Sequence, residues 1–366
     1  MNSSTPRLFV AATQQNDGKT TTALGLFASL LKTRGRIGFI KPVGQRFVEV
    51  DGLRIDEDSV LIDQTYGVQT PLEAMSPIAV EPDFTRRYIE HQNNDFLVHR
   101  IQNSFDRAAW EKDFVIIEGT GHAGVGSVFD LSNARVAKLL KSKVILVTKG
   151  GIGKPIDEVA LNKALFDQEG VELVGVILNK ILPDKFEYVR DFARRGLERL
   201  GIELLGAIPE ESILAHATLS QVAKTTHGTF INGKNKSRRR VQKVVIGAMS
   251  STHAMEYFKP GTLIITPGDR DDVILAALSA SALSELDGQT IAGLVLAGDL
   301  APSQPVLELL QHSDVPTIAS PLDSYNVASA INSMTVKTLP GDVEKIDKIQ
   351  SLIENHVEVS RLLAKL

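Results

Sequence analysis

The 366 residues include no cysteine. That absence excludes disulfides, thiolate metal centres and thiol nucleophiles, and with them an amidotransferase carrying its own glutamine-hydrolysing cysteine. Long apolar runs are missing too. No stretch approaches the ~18 residues needed to span a bilayer, and the opening M-N-S-S-T-P has neither the charged nor the apolar region of a signal peptide. The expectation is a cytoplasmic protein with no membrane contact. Strong charge of either sign is also missing: a net charge of -4 argues against nucleic acid as a global partner and says little about small ligands. No internal repeat of fixed period is visible. What remains is the composition of an ordinary soluble globule, 43% hydrophobic and 23% charged, in a chain long enough for two domains.

Short apolar runs rich in Val and Ile recur at Arg36 to Val43, Phe114 to Glu118, Lys143 to Thr148, Leu173 to Asn179 and Leu204 to Pro209, with helical patterns such as Phe186 to Leu200 between them. Continuous apolar strands alternating with helices predict a parallel sheet covered by helices on both faces. This gives an α/β domain over residues 1–215. Residues 216–243 are polar and glycine-containing, with six Lys/Arg between Lys234 and Lys243, and read as a linker or exposed loop. A second strand set follows at Val244 to Met249, Thr262 to Thr266, Gly293 to Ala297 and Pro316 to Ala319, separated by helical patterns such as Val273 to Leu286. It predicts a smaller α/β domain over 244–342. In 343–366, Ile346, Ile349, Leu352 and Ile353 form a helical stripe that packs on the protein or on a partner chain.

The chemistry concentrates after the first strand. Leu8 to Thr13 runs into Q-Q-N-D-G-K-T-T-T, and Ala23, Leu24, Phe27, Leu30 and Leu31 begin a helical pattern. A strand, a glycine-containing loop and a helix in this order cradle phosphate, because backbone N–H groups and the helix N-terminus surround its oxygens. Thr13, Asn16, Asp17, Gly18, Lys19, Thr20 and Thr21 are the nucleotide set read from this loop, Lys19 supplying charge and the Thr20 hydroxyl a magnesium ligand. Thr13 stands five residues before Gly18, where the general motif has glycine.

Three further strand ends add polar groups at the edge where ligands bind in such sheets. Lys41 opens K-P-V-G-Q at the end of the second strand. Glu118 closes V-I-I-E, followed by G-T-G-H; a carboxylate there can hold magnesium beside a γ-phosphate. Asp56 and Asp58 precede a helix; Asp58 can complete the metal shell, and either can cap the helix. His122 is a substrate contact or a hydrogen-bonded loop residue. Asn179, before Lys180, can pair with an adenine edge. The catalytic candidates are Lys19, Lys41 and Glu118; the metal candidates are Thr20, Asp58 and Glu118.

On these residues the first 215 positions resemble the dethiobiotin synthetase and cobyrinate diamide synthase branch of P-loop proteins, with its G-T-D-T-x-V-G-K-T loop, K-P-V and E-G strand ends and Asn-Lys base contact. A threonine stands five residues before the second glycine in that loop too. Ala12 and Gln14 occupy positions where the family usually has Gly and Asp. The whole chain, including P-G-T-L-I-I-T-P-G-D-R-D-D-V-I-L-A-A, resembles more closely the N-terminal portion of long bacterial phosphate acetyltransferases, where a P-loop domain precedes a DRTGG domain. The literal signature is partly present as Gly268-Asp269-Arg270-Asp271-Asp272, where Asp269 is a candidate helix cap.

That resemblance implies binding of ATP and Mg2+ with regulation through the second domain, and no acetyl transfer, which in those enzymes resides in a further C-terminal domain. The alternative it leaves open is an ATP-dependent ligase of the dethiobiotin synthetase type, activating a carbamate or carboxylate. A second copy of the chain and a metabolic enzyme are the expected partners.

Overall fold

The computed structural model describes residues 2–284 and 291–366. They form two compact units, one running to Glu211 and including Thr338–Leu366, the other spanning Ser212–Lys337.

In the first unit, strands β1 (Arg7–Ala12), β2 (Ile37–Ile40), β3 (Phe114–Glu118), β4 (Lys143–Lys149), β5 (Leu173–Ile181) and β6 (Leu204–Pro209) make one sheet in the order β6-β5-β4-β1-β3-β2. Every pairing is parallel. The apolar runs read from the sequence are therefore strands with both faces covered, and every residue of β1 is buried. The chain passes from β1 to the edge at β2, returns to β3, and then continues on the far side of β1 with β4. The direction of winding thus reverses around β1, and in such sheets ligands bind at this place, outside the carboxyl ends of the strands. Helix α1 (Lys19–Arg34) leaves β1 through a six-residue loop, and α2 (Glu57–Tyr66) follows β2 after a short hairpin.

The terminal segment completes this unit. The helix Val343–His356 lies along α1, burying Ile349 and Ile353 fully, and its continuation bridges to β6 at Gly206 and Val357. Of the two alternatives for the apolar stripe, the protein itself is the one observed.

The second unit has a five-stranded sheet of β7 (Thr229–Asn232), β8 (Lys243–Ile246), β9 (Thr262–Pro267), β10 (Gly293–Ala297) and β11 (Thr317–Ala319), in the order β7-β11-β10-β9-β8. All pairings are parallel except β7 with β11. Residues 216–243, read as a linker or exposed loop, instead hold the strand Ala217–Thr218, the helix Leu219–Thr225, β7 and the strand Arg240–Val241. Thr218 caps that helix in a capping box with Gln221, and Leu219 and Val222 are buried in the core. A segment of two- to seven-residue elements offers too few positions for a period to show. Helix α3 (Asp271–Ser284) follows β9; Leu286, read as its end, lies outside the described residues.

Candidate nucleotide site

The loop between β1 and α1 is shaped by internal hydrogen bonds. The Thr13 hydroxyl lies 2.8 Å from both Asp17 Oδ2 and Thr148 Oγ1, and the Gln14 amide donates to Asp17 Oδ2 at 2.8 Å. Thr13 and Asp17, both in the nucleotide set read from sequence, thus direct their side chains at each other across the loop. Desolvation raises the Asp17 carboxyl above its ordinary range, opposed by the hydrogen bonds from Thr13 and Gln14. Gly18 precedes α1 at φ 108, and a Cβ there would sit 1.9 Å from Asn179 Nδ2. Backbone angle and space both require glycine. Asn16, exposed, stands at φ 68. Thr21 is half-buried in the first turn of α1.

Lys19 bends its ammonium over this loop, donating to the Gly121 carbonyl at 3.0 Å and the Gln14 carbonyl at 3.4 Å. Burial pulls its pKa down to about 8, against the attraction of Glu118. The charge is held by two neutral carbonyls, an arrangement that an anion would improve. Thr20 donates to Glu118 Oε1 at 2.8 Å. Glu118 is fully buried, and its Oε2 has no hydrogen-bond partner among the described residues. Its pKa is pushed up to about 7 by burial, with Lys41 opposing.

Lys41 is the centre of a buried charge cluster. Its ammonium bonds to Asp58, lies 3.1 Å from Asp56 Oδ1 and 3.5 Å from Glu118 Oε1. Burial favours its neutral amine, but Asp58, Glu118 and Asp56 outweigh that and hold its pKa well above the ordinary value. Asp56 also accepts from the Asp58 amide at 2.9 Å and caps α2; of the two acids, Asp56 is the cap and Asp58 the main partner of Lys41.

The other candidates sit at the rim. Asn179 Nδ2 donates to the Asp17 carbonyl at 2.8 Å, and its Oδ1 accepts from the Lys180 amide at 2.9 Å. His122 is exposed, its Nδ1 accepting from the Gly124 amide at 3.2 Å. Sequence reading passed over two buried asparagines that hold the loop after β3. Asn133 accepts from the Thr120 amide and donates to the carbonyls of Thr120 and His122, while Asn162 accepts from the Ala123 amide. The only signal for them was an amide set among apolar helical positions.

Comparison with known proteins adds the lineage. An AAA domain model matches residues 6–218, more than half of the chain. The chain belongs to this AAA domain family. A DRTGG domain model matches residues 221–334, inside the second unit of this AAA-domain chain. Phosphate acetyltransferase of Pseudomonas aeruginosa is 30% identical over 96% of the chain and 50% of its own length. That of Nitrosomonas europaea is 28% identical over 98% of the chain and 51% of its own length. The chain spans about half the length of the curated relatives it matches. Among solved structures, the CBS and DRTGG domains of the regulatory region of Clostridium perfringens pyrophosphatase match at 22% identity, with a TM-score of 0.25, over 37% of this chain and 60% of that one.

The AAA domain's own residues fit a hard cation only in part. Among the described residues no three carboxylates or imidazoles are arranged as a metal cage. Mg2+, however, usually takes only one or two protein oxygens and fills its octahedron with water and phosphate. The Thr20 hydroxyl and the unpartnered Glu118 Oε2 suit that role, whereas Asp58 is engaged by Lys41. In the DRTGG region Arg270 bonds to Asp272 and to the Met249 carbonyl. Asp271 and Asp272 occupy the first turn of α3, where carboxylates already satisfy the helix dipole and oppose an added anion.

Proposed function

We propose that this chain binds ATP with Mg2+ on its AAA domain, and that its DRTGG domain makes the occupancy regulatory, in the manner of an N-terminal portion of a phosphate acetyltransferase. The observation that carries the reading is a pair of polar groups beside one loop: the Lys19 ammonium on two neutral carbonyls, and Glu118 Oε2, which has no hydrogen-bond partner among the described residues. Phosphate would draw Lys19 off the carbonyls of Gly121 and Gln14. Thr20 and Glu118 would hold Mg2+, which supplies charge neutralisation across the phosphate chain. Lys41, fixed by Asp56 and Asp58, offers a second cation at a set position.

Calorimetry with Mg2+·ATP tests this. The wild-type chain should bind, and Lys19→Ala should lose binding while keeping its thermal transition. Wild-type affinity in Lys19→Ala would refute the site. The same locked Lys41 beside Glu118 also favours a second reading, ATP-dependent activation of a carbamate or carboxylate. Stimulation of ADP release by diamines, dicarboxylates or bicarbonate would establish it over the regulatory one.

A further inference from the structure

The chain crosses between the two units twice, leaving the first after Glu211 and returning to it at Thr338. Both crossings are tied to one helix. Shortly after the return the helix Val343–His356 begins, capped by Asp342, whose side chain accepts from the Lys345 amide. In its second turn Lys348 pairs with Glu211 Oε1 at 2.8 Å, so the helix also grips the last residue before the outgoing crossing. Beyond the helix the Glu358 amide donates to the Leu205 carbonyl at 2.8 Å, and Val357 bridges to Gly206. These contacts fix the terminal segment to β6, the strand that leads to Glu211.

The same helix rests on the two helices that begin at the nucleotide site. It leaves no room at Gly25 of α1, where a Cβ would lie 2.2 Å from Ile353 Cγ1 and 3.1 Å from the Ile349 carbonyl. Gly25 stands about 9 Å along α1 from Lys19, at ~1.5 Å per residue. It reaches α2 through Gln350, which donates to the Tyr66 hydroxyl at 3.3 Å while that hydroxyl donates to the Leu24 carbonyl at 3.0 Å. Tyr66 ends α2, and the first turn of α2 carries Asp58, the partner of Lys41. Contacts this close do not absorb a displacement, because packed elements move as bodies or come apart. Movement of the terminal helix therefore reaches Lys19 and Thr20 through α1, and Lys41 through α2.

We infer that the helix Val343–His356 is the element that couples the second unit to the nucleotide site, since it holds both chain crossings and rests on the helices that bear Lys19, Thr20 and Asp58. This deepens the regulatory reading above and rests on it, so one arm of its test needs no nucleotide. Such coupling is reciprocal: if ATP alters the second unit, the second unit alters ATP binding by the same factor.

The variants are Lys348→Ala and Gln350→Ala in the full chain. The first removes a partly exposed ion pair, a contact that contributes little stability, and the second a single hydrogen bond; both should keep a thermal transition close to that of the wild type. Hydrogen exchange is followed by mass spectrometry at saturating Mg2+·ATP and without nucleotide. In the wild type Mg2+·ATP should slow exchange at residues 13–21 and change it several-fold at 212–225 and 338–350. In both variants protection at 13–21 should persist while the response at 212–225 shrinks about fivefold or more. A response at 212–225 as large in the variants as in the wild type overturns the inference, as does a wild-type response confined to 13–21. Without nucleotide each variant should act on the side it does not touch. Lys348→Ala, which cuts the contact to Glu211, should speed exchange several-fold in residues 57–66 of α2, and Gln350→Ala, which cuts the contact to α2, should do so at 212–225. Faster exchange confined to the side each variant touches, or no change, overturns the inference too. If Mg2+·ATP leaves residues 13–21 of the wild type unprotected, the nucleotide reading fails, and the arm without nucleotide alone decides whether the helix couples the two.

Discussion

A methyl group added to Gly25 of α1 would lie 2.2 Å from Cγ1 of Ile353, on the helix Val343–His356. The two helices touch backbone to side chain, and the contact is widened by Gln350, which donates to the Tyr66 hydroxyl at 3.3 Å, itself donating to the Leu24 carbonyl at 3.0 Å. Phe27 stacks on Tyr66 with centroids 4.8 Å apart. The helix that begins at the phosphate loop is thus covered by residues more than 300 positions later in the chain.

Removing that cover should be costly. Ile353→Ala deletes a fully buried side chain and is expected to lower unfolding free energy by about 2–4 kcal/mol. A chain ending at residue 218, where the AAA domain match stops, should fail to unfold cooperatively, because α1 and the edge at β6 would lose their apolar cover. Chemical denaturation followed by fluorescence or circular dichroism checks both. A 1–218 chain with a sharp transition at the full-length midpoint would show the terminal segment to be dispensable.

Glu118 sets a function against stability. Burial raises its folded pKa from 4.5 to about 7, so between those pH values the folded chain keeps a proton that the unfolded chain has released. Stability without ligand therefore falls as pH rises through that window, and the favourable contribution is fully present only below it. Glu118→Gln, neutral at every pH, should reduce this slope, to which the raised carboxyls of Asp17 and Asp56 also contribute, and leave the unliganded protein more stable at pH 8 by about 1–3 kcal/mol. A wild-type unfolding free energy that is flat from pH 4.5 to 7, or a variant less stable at pH 8, would contradict the assignment.

Much of this was legible before the fold was known. The strands of the first unit announce themselves because each is a continuous apolar run, and the site candidates because polar residues such as Lys41 and Glu118 stand where those runs stop. The terminal stripe of Ile346, Ile349, Leu352 and Ile353 shows amphipathicity, but no local pattern says that Gly25 is its counterpart. Residues 216–243 hid their elements behind basic side chains, since strands of two to four residues leave no period to detect. At Asn179 the residue type marked a polar strand end, and its contact with the loop needed the fold. An amide can donate to a base or to a carbonyl, and only the fold shows the Asp17 carbonyl within reach.

The order of two carboxylate substitutions follows from who already holds each oxygen. Glu118 Oε2 is buried and lacks a donor among the described residues, and Glu118 Oε1 faces the Thr20 hydroxyl, so under the proposed reading a cation entering with nucleotide would find a ligand whose remaining valence is open. Asp58 bonds to Lys41 and would have to release that ammonium before accepting a metal. Glu118→Gln should accordingly weaken Mg2+-dependent ATP binding by a factor of ten or more, on the order of the 1.5–3 kcal/mol that interactions with charged groups carry. Asp58→Asn should cost less in binding and more in stability, because it leaves a buried ammonium with fewer carboxylates, a loss of about 3–5 kcal/mol. Titrating Mg2+ at fixed ATP, alongside thermal unfolding of both variants, separates the two effects. If Asp58→Asn proved the more damaging to metal dependence while stability held, Lys41 would have to give up Asp58 in the bound state, and Asp58 would be the principal magnesium ligand.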